Sequence, residues 1–128
     1  MRALLVDCLG TLRGLRPATL DVIGAGPRAI AGVLEHFGCE VAVTTPGRAL
    51  KARRRMRAYD ILLLSAMSTD LAAAWRVARA WRELNDGPIL LGGPACADPA
   101  RAMERVGCDL CVIGEGEWAL MELWSLGL

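Results

Sequence analysis

The sequence predicts a three-layer α/β domain, a five-stranded parallel sheet doubly wound by helices. Three observations carry this. Short apolar runs recur at Ala3 to Val6, Val41 to Val43, Ile61 to Leu64, Ile89 to Leu91 and about Asp109 to Ile113. Segments of helical character separate them. The runs are continuous rather than alternating, the pattern of strands buried on both faces. Several stop at residues without bulk, namely Ser65-Ala66-Met67-Ser68-Thr69, Gly92-Gly93-Pro94 and Gly114-Glu115-Gly116-Glu117. In parallel sheets ligands bind beyond the carboxyl ends of the strands. The stretch from Tyr59 to Glu117 is therefore where something large can come close to the backbone.

Taken in order, the first strand ends at Asp7. Residues 8–25 show no clear periodicity, and a loop of this length is uncommon unless it has a task. Pro27 suits a first helical turn. Ile30, Val33, Leu34 and Phe37 then share one helical face, and Gly38 ends the helix. After strand two, Pro46-Gly47 turn the chain into the basic run Lys51-Ala52-Arg53-Arg54-Arg55-Met56-Arg57. It reads as a short helix with a solvated face. No aromatic residue or second basic patch accompanies it in the sequence, so no nucleic-acid partner is expected. Ser68 or Thr69 can cap the next helix, whose apolar stripe holds Leu71, Ala74, Trp75, Ala78 and Trp81. Asn85-Asp86-Gly87-Pro88 stops it. Asp98-Pro99 opens another helix, Gly107 ends it, and a last helix carries Trp118, Met121, Leu123 and Trp124. By analogy with flavodoxin-like and Rossmann-like sheets, the strand order is 2-1-3-4-5.

The 128 residues suit one domain, 54% of them hydrophobic, with formal charge +1. No global field argues for a polyanionic partner. No run reaches the ~18 apolar residues of a membrane span, and Met1 to Asp7 is too short for a signal peptide. A cytoplasmic protein is expected. Five cysteines, an odd number, favour free thiols over disulfides.

Fold alone does not choose a ligand. Phosphoacceptor receivers need clustered carboxylates after strand one, an Asp ending strand three and a Lys after strand five. Here Ser65 ends strand three, and Lys51 is the only lysine. Gly24-Ala25-Gly26-Pro27-Arg28-Ala29 fits a dinucleotide fingerprint but begins 17 positions after Asp7, where a tight turn is required. A flavin mononucleotide would want a hydroxyl-rich phosphate loop, and Leu9-Gly10-Thr11-Leu12 is a poor one.

Ser65-Ala66-Met67, then 24 residues, then Gly92-Gly93 resembles the S-x-L … G-G pattern of cobalamin-binding domains. The longer text, Tyr59 to Thr69, Pro88 to Pro94 and Asp109 to Glu117, is similar to the N-terminal B12-binding domains of radical S-adenosylmethionine enzymes. The resemblance implies a corrin across the strand ends, with its dimethylbenzimidazole tail threaded into the sheet. Gly92 and Gly93 would leave the slot free of side chains, and Ser65 would offer its hydroxyl to a tail nitrogen. The implied cofactor site is Cys8, Leu9, Leu12, Ser65, Met67, Ser68, Thr69, Gly92, Gly93, Pro94, Ala95, Gly114, Glu115 and Gly116, with the cobalt held by the corrin and by no protein side chain.

Two departures matter. Many such domains carry D-x-H-x-x-G after strand one, whose His ligates cobalt. Asp7-Cys8-Leu9-Gly10-Thr11-Leu12 puts Leu9 at the His position and Leu12 at the Gly position. The one histidine, His36, is expected on a helix surface. The resemblance then implies base-off cobalamin without a protein imidazole, which suits methyl transfer. After Gly-Gly-Pro the family often has His, and here Ala95 stands there. Cys108-Asp109-Leu110-Cys111 enters a strand, so its thiols are expected on opposite faces, buried and free. No C-x-x-x-C-x-x-C occurs. Residues 1–128 thus read as a single cobalamin-binding domain, the N-terminal part of a longer radical S-adenosylmethionine methyltransferase and not catalytic alone. S-adenosylmethionine and a 4Fe-4S cluster would belong to a downstream domain, docked on the last helix through Trp118 and Trp124. The competing readings are an interaction module that has lost its ligand and a free-standing corrinoid carrier.

Overall fold

A computed structural model describes residues 1–8 and 25–127. Strand β1 (Arg2–Asp7) leads to helix α1 (Ala25–His36), β2 (Glu40–Thr44) and α2 (Pro46–Lys51). A 3-10 turn (Arg53–Ala58) precedes β3 (Ile61–Ser65), and another (Ser68–Asp70) precedes α3 (Leu71–Leu84). Then come β4 (Ile89–Gly92), a third 3-10 turn (Pro94–Ala97), α4 (Pro99–Val106), β5 (Leu110–Cys111) and α5 (Gly116–Ser125). The sheet is parallel throughout and ordered β2-β1-β3-β4-β5, as the sequence predicts.

Side chains alternate across the strands, and each sheet face has its own core. Leu4, Val6, Leu62, Leu64, Ile89 and Leu91 pack under α2, α3 and α4. Ala3, Leu5, Ile61, Leu63 and Leu90 pack under α1 and α5. No helix among the described residues is long and apolar enough to cross a membrane.

Polar joints fix the connections. Asn85 Nδ2 donates to the carbonyls of Met56 (2.8 Å) and Tyr59 (2.7 Å), and its Oδ1 accepts from the Gly87 amide (2.7 Å). The stop signal after α3 therefore also holds the turn 53–58. A Cβ at Gly87 would lie 2.2 Å from the Asp60 carbonyl oxygen, so only glycine fits. Asp98 caps α4 by accepting from the Arg101 amide, Pro99 follows in the first turn, and Gly107 ends the helix in the left-handed region at φ 77°. Burial pushes the Asp109 carboxyl upward. The Ile89 amide and the Arg82 guanidinium outweigh it and hold the group below its usual range.

Three expectations need correction. β5 is two residues long rather than five, although the ladder continues through Asp109 N to Ile89 O and Val112 N to Leu91 O, both 2.8 Å. The basic run is split between the end of α2 and the turn 53–58, and only Met56 of it is buried. Trp75 is not on the apolar face of α3. It is 43% exposed, while Ala73, Ala74, Val77, Ala78, Ala80 and Trp81 make the buried face.

Candidate functional site

Strand register assembles the site. Leu5, Leu63 and Leu90 are partners across β1, β3 and β4, and form an apolar floor on the α1/α5 face. Two residues further toward the carboxyl ends, the same rule places Asp7, Ser65 and Gly92 in one row. Ser65 and Gly92, 27 positions apart in sequence, are thus direct neighbours at the strand ends.

Above that floor lies a cavity of about 220 Å³. Ser65, Gly92 and Gly93 line it from the sheet, Gly26 and Ile30 from α1, and Gly116, Glu117 and Leu120 from α5. Val112 and Gly114 close the β5 side. Its volume is many times the ~10–15 Å³ that a single water needs, and leaves room for a flat bicyclic ring. A Cβ built on Gly26, Gly92 or Gly114 meets nothing within 4 Å, so the room beside these glycines is real. Among the described residues the Ser65 hydroxyl has no hydrogen-bond partner, and it borders a slot with apolar walls. An open cradle with one hydroxyl at its rim fits the tail of a cobalamin.

Gly93 differs from Gly92. It has φ +97°, and a Cβ there would lie 2.7 Å from the Ala66 carbonyl oxygen and 3.1 Å from its nitrogen. Ala66 N donates to Gly92 O (3.1 Å), and Ala95 N donates to Ala66 O (3.0 Å). Gly93 is needed by this crossing of backbones whether or not a ligand is present.

The other expected cofactor residues scatter. Met67, Ser68, Thr69, Pro94 and Glu115 stand outside the cavity lining, with Ser68, Thr69, Pro94 and Glu115 exposed around the carboxyl ends of the strands. Ala95 and Cys8 are buried in the core on the opposite face. Burial, then the carboxylates of Asp70 and Asp7, raise the Cys8 thiol. Leu9 and Leu12 lie outside the described residues. Gly26, Ile30, Val112, Glu117 and Leu120 were not expected in the lining. Smallness ahead of Pro27 was the signal for Gly26. Nothing in the sequence alone pairs α1 with α5.

The C-x-x-C thiols do not part to opposite faces. Cys108 precedes β5, and both Cys108 and Cys111 pack against the α3/α4 core beside Cys96. Cys96 Sγ lies 3.0 Å from Cys111 Sγ and 3.2 Å from the Leu91 carbonyl oxygen. All five cysteines are free. Burial and the neighbouring sulfurs push Cys96 up to about 12 and Cys108 up to about 11, so both are inert thiols at neutral pH. No group of His, Cys, Asp or Glu among the described residues could hold a metal ion. His36 is exposed at the end of α1, its ring 5.5 Å from that of Phe37.

The family model described as B12 binding domain matches residues 15–124. An uncharacterized protein of Methanocaldococcus jannaschii, MJ1620, is 35% identical over 123 residues, which is 96% of this chain and 24% of that protein. An uncharacterized protein of Methanopyrus kandleri, MK0932, is 39% identical over 126 residues, 94% of this chain and 22% of that protein. The chain therefore spans about a quarter of the length of these relatives. Among solved structures, the radical S-adenosylmethionine methyltransferase TsrM from Kitasatospora setae superposes with a TM-score of 0.71 at 21% identity, over 97% of this chain and 25% of that one. At that identity the likeness is one of fold.

Proposed function

The chain belongs to the B12-binding domain family, and from that premise we propose that it holds cobalamin base-off, as the corrinoid module of a larger radical S-adenosylmethionine methyltransferase. The observation that carries the site is the register pair Ser65 and Gly92 at the mouth of the cavity. The dimethylbenzimidazole tail lies in the slot over Leu5, Leu63 and Leu90, and Ser65 donates its hydroxyl to a tail nitrogen. Ile30, Val112 and Leu120 give the slot apolar walls, and a tail seated there would shield that contact from water and strengthen it. The corrin covers the strand ends, within reach of Met67, Ser68, Thr69, Pro94, Gly114 and Glu115. When bound, cobalamin supplies a cobalt centre able to accept a methyl group and pass it on.

The protein offers that cobalt no imidazole. The chain has one His, and it sits exposed at the end of α1 rather than at the strand ends. The larger context is supported by relatives about four times as long and by a fold shared with a radical methyltransferase. In that context a downstream domain would bring S-adenosylmethionine and an iron–sulfur cluster and cover the corrin. Trp118 is 67% exposed on α5, as a docking residue must be. Trp124 instead stacks on Phe37 (ring centroids 5.9 Å) and is half-buried in the protein's own α1/α5 packing.

Electron paramagnetic resonance of the Co(II) form tests the binding mode. The expected spectrum lacks axial nitrogen splitting and is unchanged in His36→Ala. Nitrogen superhyperfine structure from an axial ligand would overturn base-off, His-free binding.

A further inference from the structure

The outer side of α2, the turn 53–58 and α3 carries a charge asymmetry that the cofactor cavity leaves unexplained. α2, the turn 53–58 and α3 hold Arg48, Lys51, Arg53, Arg54, Arg55, Arg57, Arg76, Arg79 and Arg82, nine of the chain's fifteen cationic residues. Of its fourteen acidic residues they hold only Glu83. With a formal charge of +1 overall, the rest of the chain is net acidic, and this face is a positive pole. The fold makes one patch of two segments separate in sequence. Ala49 and Met56 share a core with Ala74, Val77 and Ala80, and Arg53 pairs with Glu83 across the junction.

A groove of about 230 Å³ follows that junction, lined by Leu50, Arg53, Trp75, Arg76, Arg79 and Glu83 among others. Lys51, Arg54, Arg55, Arg57 and Arg76 are exposed and make no ion pair among the described residues. Trp75 stands in the wall with the Arg79 guanidinium carbon 5.3 Å from its ring centroid. The basic run therefore has the second patch and the aromatic that the linear sequence withheld.

We infer that this face binds single-stranded nucleic acid. Clustered cations release counterions from phosphates, which supplies sequence-independent affinity. Eight of the nine are arginines, whose planar fork meets phosphate oxygens in pairs. An exposed indole beside them gives a base a ring to stack on, tolerant of sequence. An anionic membrane surface is the poorer partner, because an interfacial helix needs a broad apolar face beside its cations. Here Trp75 is the only large hydrophobic residue exposed on these elements. The face is across the sheet from the cavity under α1 and α5, so the inference stands apart from the cofactor reading.

Fluorescence anisotropy of a labelled single-stranded RNA, and of the DNA of the same sequence, tests it on the whole chain. If about four phosphates are neutralised, affinity should fall roughly 50-fold between about 50 and about 200 mM salt, from a slope near −0.7 per phosphate. The triple variant R54E/R57E/R76E should weaken binding at least about tenfold and flatten that slope. Trp75→Ala should weaken it about tenfold and leave the slope unchanged. All four side chains are exposed, so circular dichroism and cobalamin retention should be unaffected. Three results would overturn the inference: no anisotropy change up to about 100 μM protein at low salt, equal binding by the charge-reversed variant, or association with phosphatidylserine vesicles but not with either oligonucleotide.

Discussion

Gly92→Val should lower cobalamin affinity at least about tenfold, roughly 1.4 kcal/mol, and leave the unfolding midpoint where it was. A Cβ at position 92 meets no protein atom within 4 Å, and a β-branched residue suits the end of a strand. The added side chain enters only the space claimed for the tail, next to Ser65. Gly93→Val should do the reverse. Its backbone sits at φ +97°, with the Ala66 carbonyl oxygen 2.7 Å from where Cβ must go. Strain of order 1–3 kcal/mol falls on the fold itself. Spectroscopic titration with hydroxocobalamin, set beside urea unfolding, separates the two. Undiminished binding in Gly92→Val would show that the tail does not use this cavity. The contrast separates two glycines that the sequence treats alike.

Trp81→Ala should destabilise the domain by about 3–5 kcal/mol, a large part of the ~5–15 kcal/mol available to a domain. Trp81 is fully buried in the α3 core, and its indole N–H donates to the Gly87 carbonyl at 2.8 Å. The loss combines a cavity beneath α3 with an unpaired carbonyl in the turn before β4. Trp81→Phe keeps most of the volume and gives up the hydrogen bond, so its cost should be about 1–3 kcal/mol. Trp75→Ala, on the exposed side of the same helix, should stay within about 0.5 kcal/mol. Urea unfolding of the three variants checks the order. Equal losses at positions 75 and 81 would contradict the assignment of buried and exposed faces.

Continuous apolar runs made four of the five strands legible, because in a sheet covered on both sides the central strands bury nearly every residue and edge strand β2 is still half-buried. β5 was overread for the same reason. Val112 and Ile113 continue the apolar text, but the ladder ends at the Val112 amide, and Val112 and Gly114 go on to form the cavity wall. Trp75 was misplaced because a periodicity that counts every apolar residue gives an indole the weight of an alanine. In α3 the small residues, Ala73, Ala74, Ala78 and Ala80, bring the helix close to the sheet, and the bulky Trp75 is left outside.

The site was legible where spacing encodes it. Ser65 and Gly92 close successive strands and so had to meet in register. Gly93 looked equivalent to Gly92 because a sequence shows that a side chain is absent and not what occupies its place. The contributions of Gly26, Ile30 and Leu120 depend on α1 and α5 covering the same sheet face, which no local pattern states. The basic pole is the same kind of case, since Arg76 and Arg79 join Arg53 and Arg54 only once α3 lies beside α2.

The most direct measurement is cofactor retention. Purified protein at micromolar concentration is mixed with hydroxocobalamin and passed through a desalting column, and the corrin absorbance is read in the protein fraction. The expected result is corrin co-eluting with the chain at close to one per molecule, and lost from Gly92→Val. A protein fraction without corrin absorbance would contradict cobalamin binding by this chain, and would leave an α/β module that keeps the family's fold without its ligand.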